Sequence, residues 1–245
     1  TSKAKKVVAW RGSQYDSVKL EKPGEITRPY SGTSLLSFYP IFETAGWFKS
    51  DSIWYYQKQG DLVKNDWLKY QGYWYFMDGA GGMIHGGWIC SEDIWYYFKD
   101  SGIMMSNEWK FYNNRWYYLK SSGAMASNEW IYDQGNWYFV KSSGAMASQE
   151  WVYIQGKWYY FESSGVMKKS TWFFYRGDWY YLTDSGALLR DDWFYYGDTW
   201  YYVKGSGAMA SNEWIQVQGK WYYLDSSGKM LRNTYTPDGY YVGSS

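Results

Sequence analysis

The chain has 245 residues, including 19 Trp, 30 Tyr and 11 Phe, and a formal net charge of +1. Near-neutrality gives no long-range field for nucleic acid or an anionic membrane, and no apolar run of 18 residues is present to span a bilayer. A single cysteine, Cys90, excludes an internal disulfide, and a single histidine, His85, excludes a His-rich metal cluster, so no cofactor or metal is expected.

The polar opening at Thr1 has no signal-peptide pattern and is read as a mature or shortened chain. Residues 1–45 hold three of the four prolines, Pro23, Pro29 and Pro40, and form an irregular amino-terminal segment. Val7–Gly12 reads as a strand with Val18-Lys19-Leu20 as its return, a degenerate repeat. The segment is too short, and too poor in candidate chemistry, to be a catalytic domain.

From Trp47 a repeat takes over. A tryptophan falls at 47, 67, 88, 109, 130, 151, 172, 193 and 214, and another seven residues later at 54, 74, 95, 116, 137, 158, 179, 200 and 221. This lattice takes every tryptophan but Trp10. Self-similarity at a fixed short period marks a stacked array. The repeats occupy 46–233.

In one repeat, Trp130-Ile131-Tyr132-Asp133 is a strand, Gln134-Gly135 a two-residue turn and Asn136–Val140 the return strand. That turn pairs Asp133 with Asn136, Tyr132 with Trp137, Ile131 with Tyr138 and Trp130 with Phe139. Because side chains alternate, Trp130, Trp137 and Phe139 share one face, and Ile131 and Tyr138 take the other. Ser142-Ser143-Gly144 makes a second turn, and Ala145-Met146-Ala147 links to the next hairpin. One such hairpin is marginal alone, so the expected fold is all-β, a solenoid of stacked β-hairpins.

The early repeats depart from the pattern. One residue is missing between Trp47 and Trp67, and Gly79-Ala80-Gly81-Gly82 replaces the usual turn. The rings of Trp47 and Trp54 are therefore expected to sit out of register with the next hairpin. Residues 234–245, with Tyr235, Pro237, Gly239, Tyr240 and Tyr241, read as a capping half-repeat. The carboxylates before the first tryptophan, Glu108, Glu129, Glu150 and Glu213, read as solvated edge charges.

Regular Trp and Met most often build a core. Two tryptophans per repeat, however, exceed what packing a hairpin stack requires, and Trp adds a negative π-face that attracts cations. Three such faces with a thioether beside them form a cage suited to a quaternary ammonium, which cannot donate hydrogen bonds. Each ring contributes roughly 0.5–2 kcal/mol. A single site is then of order millimolar, and an array gains by avidity on a polymer that bears many ligands.

The pattern W-x6-W-Y-[YF], then S-G-x-M, resembles the choline-binding (cell-wall-binding) repeats of Gram-positive surface proteins and phage lysins, from Trp47 to about Tyr241. The resemblance implies a non-catalytic module docked on phosphocholine of teichoic and lipoteichoic acids, secreted and held at the bacterial cell surface. It also implies sites between consecutive hairpins, each with both tryptophans of one repeat and an aromatic of the next. The sets carried over are Trp67, Trp74 and Tyr97; Trp88, Trp95 and Tyr118; Trp109, Trp116 and Phe139; Trp130, Trp137 and Tyr160. They continue with Trp151, Trp158 and Tyr181; Trp172, Trp179 and Tyr202; Trp193, Trp200 and Tyr223; Trp214, Trp221 and Tyr241. Met125, Met146, Met167, Met209 and Met230 stand beside them.

Cell-wall hydrolases, modulated by competition for the same choline, or host proteins are further partners under this reading. A carbohydrate (glucan)-binding module, which also uses aromatic hairpins, remains the alternative. An enzyme is not expected. Asp191-Asp192 is the one tempting carboxylate pair, and neighbours on a strand point to opposite faces rather than into one cleft.

Overall fold

The structure, a computed structural model, describes residues 7–12, 38–42 and 45–244. Among the described residues the regular elements are all strands, paired almost entirely as antiparallel hairpins. Two compact units are present: Thr1–Tyr112 with Tyr117–Ala126, and Asn113–Trp116 with Ser127–Ser245. Within each unit the hairpins stack as a β-solenoid.

The repeat at Trp130 shows how the sequence dictates this. Glu129–Asp133 pairs with Asn136–Val140 in the expected register, Trp130 opposite Phe139 and Tyr132 opposite Trp137. Gln134 and Gly135 both take positive φ, +46° and +84°, so the turn twists with its strands. Phe139 and Val140 are buried, and Trp137 at the tip is 40% exposed. The same five-residue pairing recurs at Trp47, Trp67, Trp88, Trp151, Trp172, Trp193 and Trp214.

Stacking is carried by the loop after each hairpin. The Met167 N–H donates to the Trp137 carbonyl of the preceding hairpin at 2.8 Å, and Met167 forms a bridge to Phe161 of its own. Met83, Met104, Met125, Met146, Leu188, Met209 and Met230 donate in the same way, at 2.7–2.9 Å. The core is a row of small clusters, such as Phe139, Ala147, Ile154, Phe161 and Met167 with Trp130, Val152 and Tyr159 packed against them. Each hairpin buries its base and leaves its tip in water.

Three expectations change. Val7–Gly12 pairs with Phe38–Phe42; Val18-Lys19-Leu20 lies outside the described residues. The missing residue does not displace the first rings. Asp61–Leu62 pairs with Gln57 and Lys58 as a third strand, and the Met83 N–H still reaches the Trp54 carbonyl at 2.7 Å. The glutamates before the first tryptophan are bound rather than merely solvated. Glu108, Glu150 and Glu213 accept from Lys99, Lys141 and Lys204 at 2.8–2.9 Å, tying the end of one hairpin to the start of the next.

Candidate functional site

The tryptophans and one tyrosine of the next hairpin come together as expected, but the tyrosine is a different one. Trp130 and Trp137 stand edge to face, 6.2 Å apart at 89°. The same arrangement holds for Trp47 and Trp54, Trp67 and Trp74, and Trp193 and Trp200, at 6.2–6.5 Å and 88°. The ring that faces Trp130 from the next hairpin is Tyr159, 4.9 Å away. Tyr160, the expected wall, lies 7% exposed against Trp151 and Phe173 of its own and the following hairpin.

The reason is strand alternation. Tyr160 shares a face with Trp158 and Trp151, which look toward the following hairpin, so of the two tyrosines it is Tyr159 that looks back at Trp130, beside Phe161 at 5.7 Å. The same shift by one applies along the chain. Tyr96, Tyr117, Tyr180, Tyr201 and Tyr222 lie 4.7–5.6 Å from Trp67, Trp88, Trp151, Trp172 and Trp193. The expected rings Tyr97, Phe139, Tyr202 and Tyr223 are buried at 5–9% exposure behind them. Tyr118 packs on Trp109, and Tyr181 on Trp172 and Phe194.

At the carboxy end Tyr240, not Tyr241, faces Trp214, 6.0 Å away, while Tyr241 pairs with Tyr235. Trp109 belongs to the first compact unit, and Trp116 and Phe139 to the second. A set absent from the expectation is Trp47, Trp54 and Tyr75, with Tyr75 5.0 Å from Trp47. The unbroken W-x6-W at 47–54 signalled it, and the short loop does not keep these three rings apart.

The methionines stand one layer back. Met167 and Met230 are 7–8% exposed, and Met125, Met146 and Met209 are half-buried. A Cβ on Gly186 would fall 2.4 Å from Met167 Sδ, so the thioether packs against the next loop. Met167 supports Trp130 and Tyr159 from behind rather than closing the cage.

Electrostatics suit a cation. The second tryptophans expose 37–61% of their surface. Aromatic faces in this chain already hold its own cations: Lys110 Nζ sits 4.1 Å from the Tyr97 centroid, and Lys69 Nζ 5.5 Å from Trp74. The last set adds a carboxylate, because Trp214 Nε1 donates to Asp238 Oδ2 at 2.9 Å. Hydrogen bonds from Thr236 and Trp214 hold that carboxyl below the usual carboxylate range. Asp191 and Asp192 serve the fold. Asp191, just before its strand, accepts from the Tyr202 hydroxyl at 2.7 Å, and Asp192 Oδ1 accepts from the Trp193 N–H at 2.8 Å.

Three family models match the chain: choline-binding repeats at 208–245 and at 85–130 and 149–193, and a cell wall binding repeat at 128–146 and 191–209. Comparison with curated proteins finds no match. Among solved structures, the choline-binding domain of CbpL from Streptococcus pneumoniae is 39% identical over 77% of this chain and 97% of its own, with a TM-score of 0.63. Choline binding protein F from the same organism, solved with a peptidoglycan analogue, is 32% identical over 97% and 84%, with a TM-score of 0.59. The modular autolysin LytC of S. pneumoniae, in complex with a synthetic peptidoglycan ligand, is 34% identical over 82% of this chain and 40% of its own, with a TM-score of 0.52.

Proposed function

The chain belongs to the choline-binding repeat family, and from that premise we propose that it is a non-catalytic module that docks on phosphocholine of teichoic and lipoteichoic acids at the bacterial cell surface. The observation that carries this reading is the recurring set of three rings, two tryptophans of one hairpin and the first tyrosine after the second tryptophan of the next. Trp130, Trp137 and Tyr159 are the type example. In this reading residues 46–233 are the binding repeats and 234–245 cap them.

A trimethylammonium group placed among these rings meets π-faces from several sides, and each contributes roughly 0.5–2 kcal/mol. The sum, after immobilisation, gives a weak single site. Repetition along the chain turns weak sites into firm attachment on a polymer with many choline groups. Competition for that choline is the route by which such a module would modulate cell-wall hydrolases.

The test is retention on an immobilised quaternary amine. Free choline is expected to elute the protein and glucan oligosaccharides are not. Elution by sugar with indifference to choline would favour a glucan-binding module instead.

A further inference from the structure

The last ring set holds a carboxylate against one of its rings. Tyr240 faces Trp214 across 6.0 Å, and Asp238, two residues before Tyr240, accepts from Trp214 Nε1 at 2.9 Å. The carboxylate is also held from its other oxygen. Thr236, 4% exposed, donates its hydroxyl to Asp238 Oδ1, and that hydroxyl oxygen accepts from the Tyr240 N–H at 3.0 Å. Wall ring, carboxylate and indole are thus tied into one unit. The same hydrogen bonds, that from Thr236 first, keep the carboxyl ionised near neutral pH.

The stacking of hairpins does not prescribe a carboxylate here. Two places before the wall tyrosine, preceding hairpins carry Ile94, Lys157, Asp178, Thr199 and Lys220. Nor does closing the turn require the bond to Trp214. The turn closes through its backbone, from the Gly239 N–H to the Thr236 carbonyl at 2.9 Å and from the Thr236 N–H to the Tyr240 carbonyl at 2.8 Å.

A cage of rings alone favours a quaternary ammonium, because that cation has no N–H to satisfy. A primary ammonium enters such a cage only by giving up hydrogen bonds to water, which π-faces replace poorly. A fixed carboxylate beside the cage reverses this balance, since an N–H then meets a charged acceptor. A carboxylate offers about four acceptor positions, more than Thr236 and Trp214 take up. We infer that Asp238 is the specificity-determining residue of the Trp214, Trp221 and Tyr240 set, which accepts ammonium groups that still carry N–H, primary or partly methylated, as well as the quaternary group. The inference rests on the choline-binding reading of the ring sets.

The experiment follows tryptophan indole N–H signals of the full chain by proton–nitrogen NMR during titration with choline or with ethanolamine, which is choline without its methyl groups. The pH is neutral and the ionic strength constant. The Trp214 and Trp130 signals are assigned by their loss in Trp214→Phe and Trp130→Phe. In the unaltered protein the preference for choline over ethanolamine is expected to be about tenfold smaller at Trp214 than at Trp130. Asp238→Asn keeps an acceptor for Thr236 and Trp214 and removes the charge. It is expected to weaken both ligands at Trp214, ethanolamine by about tenfold more than choline, and to leave the Trp130 response as it was.

Equal preference at the two reporters of the unaltered protein overturns the inference. So does equal weakening of both ligands in Asp238→Asn, which would make the carboxylate a general attractor of cations. A Trp214 signal that neither ligand moves, while Trp130 responds to choline, overturns it as well. If Asp238→Asn disorders the last turn, the comparison of Trp214 with Trp130 in the unaltered protein decides alone. Failure of choline to move any indole signal is a separate result, and it defeats the underlying reading first.

Discussion

Trp130 and Tyr159 stand 4.9 Å apart and nearly perpendicular, although they belong to different hairpins. Neither can form the site without the stack, because the face of one hairpin is completed only by the back of the next. Tyr159→Ala is therefore expected to remove a wall from this site, costing about 0.5–2 kcal/mol of cation attraction there. Tyr160→Ala is expected to leave that site's rings in place and to cost about 3–5 kcal/mol of stability, as deletion of a buried ring does. Choline titration and thermal unfolding of the two variants check this; a larger choline defect in Tyr160→Ala would restore the arrangement expected from sequence.

The first ring set keeps the geometry of the later ones. Trp54→Ala and Trp137→Ala are each expected to remove one choline site and to lower the stoichiometry equally. Calorimetric stoichiometry measures it. An unchanged stoichiometry in Trp54→Ala alone would mean that the early set, which has Lys49 Nζ 5.7 Å from the Trp54 ring, is already filled by its own lysine.

Much of this was legible in the sequence because the repeat supplies its own alignment. The Gln134-Gly135 turn set the register of Trp130 with Phe139, and the period set the stacking. What was not legible is which face of one hairpin meets which face of the next. Alternation divides Tyr159 from Tyr160, but only the packing of whole hairpins says which of them looks back at Trp130. The short loop before Trp67 misled for a different reason: Asp61–Leu62 absorbs the missing residue by turning back to pair with Gln57 and Lys58, a local third strand that the other described hairpins lack and the repeat pattern therefore does not foretell. The role of the methionines was blurred as well, since spacing places Met167 near the cage without saying that its sulfur turns toward Gly186.

Gly186 has φ +80° and leaves no room for a side chain beside Met167 Sδ. Gly186→Ala is expected to destabilise by about 1–3 kcal/mol through overpacking and left-handed backbone strain. Thermal unfolding reads the cost, and combining the change with Met167→Ala should relieve the packing part while leaving the backbone part. Full additivity of the two substitutions would show that the sulfur does not set the loop spacing.

No wall-degrading activity is expected of the purified chain. The adjacent carboxylates Asp191 and Asp192 are engaged, Asp191 by the Tyr202 hydroxyl and Asp192 by the Trp193 N–H. Release of soluble fragments from cell walls, abolished by Asp191→Asn or Asp192→Asn, would contradict this.

Tyr202 gives the stack an alkaline limit. Burial, and then its hydrogen bond to Asp191, push the phenol up to about 12. An unfolded tyrosine ionises near 10. Below pH 10 the phenol is protonated in both states and its contribution to stability is fully present. As the pH rises from 10 toward 12 the unfolded chain releases the proton and the folded chain does not, so the contribution is lost across that window. Tyr55, Tyr56, Tyr75, Tyr160, Tyr180 and Tyr181 are raised in the same direction, chiefly by burial, and add to the slope. The thermal midpoint is therefore expected to fall between pH 10 and 12, with a late phenolate absorbance change that Tyr202→Phe removes. Tyr202→Phe should also flatten the fall in midpoint by one group's share. A midpoint that holds steady through pH 12, or a Tyr202→Phe variant with an unaltered slope, would show that this hydroxyl is as free to ionise in the stack as in the unfolded chain.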